Sequence, residues 1–180
     1  MKTILSSFSL FFLVLILSNP AQAASANVID VKADDALKRF HSEVGGAKEL
    51  TSKSYGVLVF PSVVKAGIGI GGEYGEGVLR INRKTVDYYS TVAASIGFQL
   101  GAQTKTVILL FMTKAALTGF RNSDGWEVGV DGSVALLKVG AGGSLDTTNV
   151  KAPVVGVVFG NKGLMYNLTL EGSKMTKIKK

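Results

Sequence analysis

The sequence predicts an α+β domain: a curved, Gly-rich, mostly antiparallel sheet, drawn towards a barrel, with N-terminal helices and one further short helix packed on it. Three observations lead there. A stretch of helical spacing near residues 28–44 is followed by a succession of short β-branched runs, a second helical stretch interrupts those runs once, and no composition break marks a second domain. The chain of 180 residues is 47% hydrophobic, ample for a core, and its 22 glycines all lie beyond residue 23.

In chain order, the first segment is set apart from the domain. Met1-Lys2 begins a short positive region, Phe8 to Leu17 is an apolar run, Ser18-Asn19-Pro20 breaks it, and Ala21-Gln22-Ala23 supplies a small-x-small cleavage pattern. This is the anatomy of a secretory signal peptide, cleaved after Ala23. As a membrane anchor the run falls well short of the roughly 20 residues a spanning helix needs. Removing residues 1–23 takes away one lysine and no acidic residue, so the charge falls from +7 to +6 and residues 24–180 form a single domain.

Ser25 or Asn27 can cap a helix starting near Val28, with Ile29, Ala33, Ala36, Leu37, Phe40 and Val44 on its apolar face. Gly45-Gly46 ends it, and Ala47 to Ser52 forms a shorter helix. Tyr55 to Phe60 then reads as a buried strand stopped by Pro61. From Gly67 to Ile81 glycine alternates with apolar residues, which predicts a hairpin turning at Tyr74–Gly77, with one face poor in side chains. Further strands are expected at Val86–Val92, Ser95–Leu100, Thr106–Met112, Trp126–Ala135, Leu137–Gly142, Val154–Phe159 and Leu164–Leu170. Thr113 caps a short helix over Lys114–Phe120, with Asn122–Gly125 as its exit turn. The loop 146–149 is polar, and Lys174–Lys180 is a basic tail.

The chemistry is narrowed by what is missing. With no Cys there is no disulfide framework, thiolate metal site, cysteine nucleophile or lipid-bearing cysteine, and one His, His41, excludes sites needing two imidazoles. Gly67-x-Gly69-x-x-Gly72 matches a dinucleotide fingerprint in letters. The next residues, Glu73-Tyr74-Gly75-Glu76-Gly77, cannot open the helix that would cradle a pyrophosphate. Glu73 and Glu76 are three residues apart in an expected turn and are read as facing water rather than as an acid/base pair. His41 is read as solvated. No nucleophile-elbow serine appears, so neither a catalytic constellation nor a cofactor is expected.

The basic residues Lys32, Lys38, Arg39, Lys48 and Lys53 flank the N-terminal helices, and Lys65, Arg80, Arg83 and Lys84 flank the Gly-rich segment. Each Lys or Arg near an anionic bilayer is worth about 1 kcal/mol, so the first helix could lie on a membrane. The competing reading packs its apolar stripe on the sheet. Nucleic acid is disfavoured, because Tyr88 and Tyr89 are not interleaved with a basic cluster. An outer-membrane barrel is disfavoured by short strands and interrupting helices.

Several ordered blocks resemble one family. Gly56-Val57-Leu58-Val59-Phe60-Pro61-Ser62-Val63-Val64-Lys65-Ala66-Gly67, continuing through Gly71–Leu79, is similar to the core signature of the SYLF-domain family. Ser95–Gln103, Gly129–Ala135, Lys162–Leu164 and Leu170–Ser173 resemble its later blocks. The resemblance implies a lipid-binding module. Eukaryotic members bind phosphoinositides and fungal relatives also bind actin, whereas bacterial members are exported single-domain proteins. The expectation is non-catalytic binding of anionic or polar lipids at a bacterial envelope, periplasmic or secreted and peripheral on the membrane. Lys38, Arg39 and Phe40 of the first helix are the candidate lipid-contacting residues, with Lys65 a weaker one. The alternative is a structural or protein-interaction module of the envelope.

Overall fold

The computed structural model describes residues 24–137, 151–163, 170 and 172–180, and it has the expected α+β architecture with a curved sheet. The segment 1–23, the loop 146–149 and most of the strands expected at Leu137–Gly142 and Leu164–Leu170 lie outside the described residues.

Helix α1 spans Ala26–Glu43, and the Ser25 hydroxyl oxygen accepts from the Val28 amide at 3.5 Å. Its buried positions Ile29, Ala33, Ala36 and Phe40 recur at helical spacing and pack on Val57, Val59, Val78, Ile108 and Leu110 of the sheet. Each large side chain buried this way contributes about 1.5–3 kcal/mol. The helix stops at Val44, and Gly46, at a φ of 82°, starts the short helix α2, Ala47–Lys53.

Strands β1 (Gly56–Ile81) and β2 (Lys84–Phe111) are far longer than the sequence suggests. Pro61 does not stop β1. It falls where the register shifts between Phe60 and Val63, so its missing N–H breaks no ladder, and its carbonyl accepts from the Thr106 hydroxyl at 3.0 Å. Tyr74–Gly77 is strand rather than turn. The chain reverses at Asn82-Arg83, whose φ values of 51° and 65° make a tight two-residue connection. The expected strands at 86–92, 95–100 and 106–112 are parts of β2.

Both long strands are bent in half. A Cβ on Gly77 would stand 2.2 Å from the Val59 carbonyl oxygen, and one on Gly67 would stand 2.4 Å from the Gly71 Cα. The glycines therefore mark where the second half of β1 lies against its first half. Strand β5 (Val154–Gly163) pairs with the later half of β2, and β6 (Lys174–Ile178) with the earlier half. Strand β3 (Trp126–Glu127) flanks β6, while β4 (Ala135–Leu137) runs parallel to β5, the one parallel pair among the described strands. With the halves counted separately, eight strands form one curled, mixed half-barrel. The strand expected over Trp126–Ala135 shrinks because Glu127 turns the chain, its carbonyl accepting from the Val130 and Asp131 amides. The expected basic tail is mostly β6, anchored by buried Met175.

Helices α1 and α2 cover one face of the sheet. The other face, built on Leu58, Phe60, Leu79, Val107, Leu109 and Phe111, is closed by helix α3 (Lys114–Asn122) with Trp126 and Met175. Burial on both faces explains why Val57–Phe60 and Val107–Phe111 are uninterrupted apolar runs. Thr113 caps α3 as expected, its hydroxyl accepting from the Ala116 amide at 3.2 Å. Phe120 is at the centre of this core, 4.7 Å from Tyr89, 4.9 Å from Phe111 and 5.6 Å from Trp126 by ring centroids. Gly119 of the same helix has nothing within 4 Å of where a Cβ would go. Gly119→Ala is therefore expected to raise stability by about 0.5–1 kcal/mol, because alanine has less backbone freedom to lose. A thermal midpoint equal to or below wild type would contradict this.

Candidate functional site

The four residues singled out from sequence do not converge. Lys38 is exposed and stands 3.5 Å from Asp35. Arg39 pairs with Glu43 at 3.0 Å and lies over the Phe159 ring, 5.5 Å from its centroid. The hydrogen bond to Glu43 raises the Arg39 pKa, while Glu43 is lowered by the same contact. Phe40 is fully buried and stacks on Phe159 at 5.7 Å, so it is a core residue and no surface contact. Lys65 is 2% exposed and faces the inside of the half-barrel, away from α1. Neither of these two presents its side chain to a bilayer.

Helix α1 is also fastened to the sheet. Asp30 accepts from the Thr85 hydroxyl at 2.6 Å and the Tyr88 hydroxyl at 2.7 Å, and Arg80 bridges Asp30 and Asp34. Burial alone would raise the Asp30 pKa, but these donors and the guanidinium hold it below the ordinary value. The apolar stripe that could have inserted into lipid is thus already committed to the core. His41 is half-buried, its Nε2 3.0 Å from the Thr51 hydroxyl, and burial together with nearby Lys48 lowers its pKa. It is not the solvated residue that its place on the polar side of the helix suggested.

The net charge is divided unevenly. Residues 24–54 balance Lys32, Lys38, Arg39, Lys48 and Lys53 against Asp30, Asp34, Asp35, Glu43 and Glu49, so the whole +6 surplus belongs to the later part of the chain. There the outer face of the sheet, the face that α1 covers elsewhere, runs on beyond the helix. Tyr74 and Val92 are direct cross-strand partners on it, and both are about half exposed. Val64, 46% exposed, and Ile70, 72% exposed, lie elsewhere along β1, the strand of Tyr74. Val92 is paired on its other side with Lys174, itself flanked by Glu127. Tyr74, Val92 and Lys174 thus form a lateral row across the sheet. The alternation places them there. Odd-numbered neighbours Val63, Lys65 and Glu73 point inward, so the even positions point out.

Directly behind this row lies a buried polar cluster. Lys65 Nζ is 3.3 Å from Glu73 Oε1, and Lys105 Nζ is 2.7 Å from Glu73 Oε2, with the three side chains 3, 0 and 7% exposed in the order Lys65, Lys105, Glu73. Gln103, opposite Lys65 in register, is buried with neither amide atom hydrogen-bonded. Glu73 and Glu76 do not face water, as their expected turn implied. The signal that places Glu73 is strand parity: with Lys65, Gln103 and Lys105 it shares the odd register of buried Val63, Val107 and Leu109.

A hollow of about 470 Å³ between α3 and Pro153 is lined by Thr113, Phe120, Trp126, Asp131 and Ser133. Its carboxylate, Asp131, accepts from the Glu127 amide at 2.7 Å and so serves its own turn. The Tyr89 phenol, buried and close to Asp87, is pushed up to about 12 and stays protonated at neutral pH. Among the described residues no three His, Cys, Asp or Glu side chains gather as metal ligands, and no helix is long and apolar enough to cross a membrane.

The comparisons with known proteins add one match. A family model described as Ysc84, Las17-binding protein actin regulator, matches residues 92–180, which run from the earlier half of β2 through β6. No curated protein matches the chain.

Proposed function

Because the chain belongs to the SYLF-domain family through residues 92–180, we propose that it is a non-catalytic module that binds anionic or polar lipid surfaces at the bacterial cell envelope. The observation that carries this reading is the exposed cross-strand pair Tyr74 and Val92, with Lys174 next in the row and Val64 and Ile70 also exposed on β1. Contiguous exposed apolar side chains on a soluble face mark an interaction surface. An apolar strip with a basic residue at its end suits the boundary between headgroups and acyl chains. The +6 surplus of the same part of the chain supplies attraction to anionic headgroups, and that attraction falls with salt.

Co-sedimentation with phosphatidylglycerol and phosphatidylcholine vesicles tests it. The protein is expected to pellet with the anionic vesicles at low salt and to be released as salt rises. Ile70→Asp with Val92→Asp removes two apolar anchors and should weaken binding by at least about tenfold, since burying one such side chain is worth about 1.5–3 kcal/mol. Lys38→Glu with Arg39→Glu tests the helix separately, and binding within about twofold of wild type is expected. Absence of binding to anionic vesicles at low salt overturns the proposal.

The description of the family as a Las17-binding actin regulator favours a second reading, in which the same apolar row docks a protein. Unchanged lipid behaviour in the Ile70/Val92 variant, with loss of a co-purifying protein, would decide for it.

A further inference from the structure

The cleavage pattern ending at Ala23 and the folded domain meet at one carboxylate. The Ala24 backbone nitrogen lies 3.1 Å from Glu76 Oε2, across 52 residues of sequence. Lys180 Nζ donates to Glu76 Oε1 and to the Ala24 carbonyl, both at 2.9 Å, and the Tyr74 hydroxyl donates to the same Glu76 oxygen at 2.9 Å. The Glu76 and Lys180 side chains are only 9 and 8% exposed. Oxygen Oε1 is therefore shared by two donors, while Oε2 faces the nitrogen of Ala24.

We infer that Glu76 is the receptor for the new α-ammonium of a chain processed between Ala23 and Ala24. This assignment rests on the reading of residues 1–23 as a cleaved segment. Hydrolysis of that peptide bond consumes one water. The carboxylate leaves on Ala23 with the released segment, and the amine remains on Ala24, where it takes a proton because a free α-amino group has a pKa of about 7.7–8.0. A neutral amide with one N–H becomes a cation with three, already within hydrogen-bond distance of a carboxylate that is nine-tenths buried.

The fold gives a reason for the partner. Helix α1 begins at Ala26, two residues on, and a bare positive charge at that end opposes the helix dipole. Glu76 offsets the charge and ties the helix start to the middle of the sheet. Although burial alone would raise the Glu76 pKa, Lys180, Tyr74 and the Ala24 N–H keep it below the ordinary value, so the carboxylate is ionised at neutral pH.

Pairing raises the pKa of the α-amine in the folded chain above its unfolded value. The stabilisation is therefore complete below the unfolded pKa and is lost as pH rises through the folded one. The groups facing the amine are Glu76, Lys180 and Tyr74, and burial together with Glu76 raises the Tyr74 pKa above its ordinary value. The test compares thermal midpoints from about pH 6 to 9.5, a window spanning the α-amine's titration, for three proteins: the exported wild type, its Glu76→Gln variant, and a form carrying Gly-Ser ahead of Ala24. The wild type should exceed the extended form by about 2–4 °C near neutral pH, and the gap should close towards the alkaline end. The Glu76→Gln variant should show no such slope. The intact mass of the exported protein is measured alongside. A start other than Ala24 overturns the processing reading and the assignment with it. A start at Ala24 with equal midpoints for the wild type and the extended form at every pH overturns the receptor role alone, and this comparison holds even if Glu76→Gln fails to fold.

Discussion

Glu73→Gln is expected to destabilise the protein by about 3–5 kcal/mol, the cost of removing one partner from a buried ion pair. Glu73 lies between the ammonium groups of Lys65 and Lys105, at 3.3 and 2.7 Å, in a part of the half-barrel where none of the three side chains exceeds 7% exposure. A neutral amide can still accept one hydrogen bond, but it cannot offset either charge. Two like charges then remain in a medium that solvates them poorly. The companion variant, Lys65→Met with Glu73→Leu and Lys105→Met, removes the charges together and should recover most of the loss, since apolar replacements of such triads are often neutral or stabilising. Denaturant titration of both variants separates the outcomes. A Glu73→Gln protein within about 1 kcal/mol of wild type would mean that solvent reaches the cluster.

Gly77→Ala should cost about 3 kcal/mol, at the upper end for overpacking. Its Cβ would meet the Val59 carbonyl oxygen at 2.2 Å and the Val59 carbonyl carbon at 2.9 Å. Backbone in the middle of a sheet cannot step aside as the tip of a flexible side chain can. The contrast is Gly72→Ala in the same strand, where the nearest atom is 3.8 Å away and the midpoint should barely move. Urea unfolding of the pair is the check, and equal midpoints would deny that the halves of β1 are pressed together.

The same glycines show why the sequence is legible only in part. Helical spacing locates α1 and α3, and the cap residues Ser25 and Thr113 mark their starts. Those signals are local, so they survive in one dimension. Gly75 and Gly77 suggest a turn because a close approach of two backbones demands the same residue as a reversal does. The true reversal, Asn82-Arg83, has no glycine in it and carries no such mark. Pro61 misleads for a similar reason, since a bulge admits proline as readily as a strand end does. Of the candidate site, Lys38 and Arg39 lie outside in sequence and structure alike, whereas charge alone assigns Lys65 and Glu73 to the surface. Their odd register with Val63 points inward, but that argument needs β1 to be one continuous strand.

The continuous pairing of β1 with β2 bears finally on how the chain reaches this shape. Ile81 pairs with Lys84 across a two-residue connection, and the remaining pairs succeed one another outward, past the bulges, until Gly56 meets Phe111. A ribbon of that kind can zip from its tip, each new pair being close to one already made. Its most distant partners are then joined without closing the whole intervening loop, and the entropy of doing so is never met in one step. Doubling the ribbon at its bulges, and docking α1, β5 and β6 on it, would be later events acting on a preformed two-stranded rod.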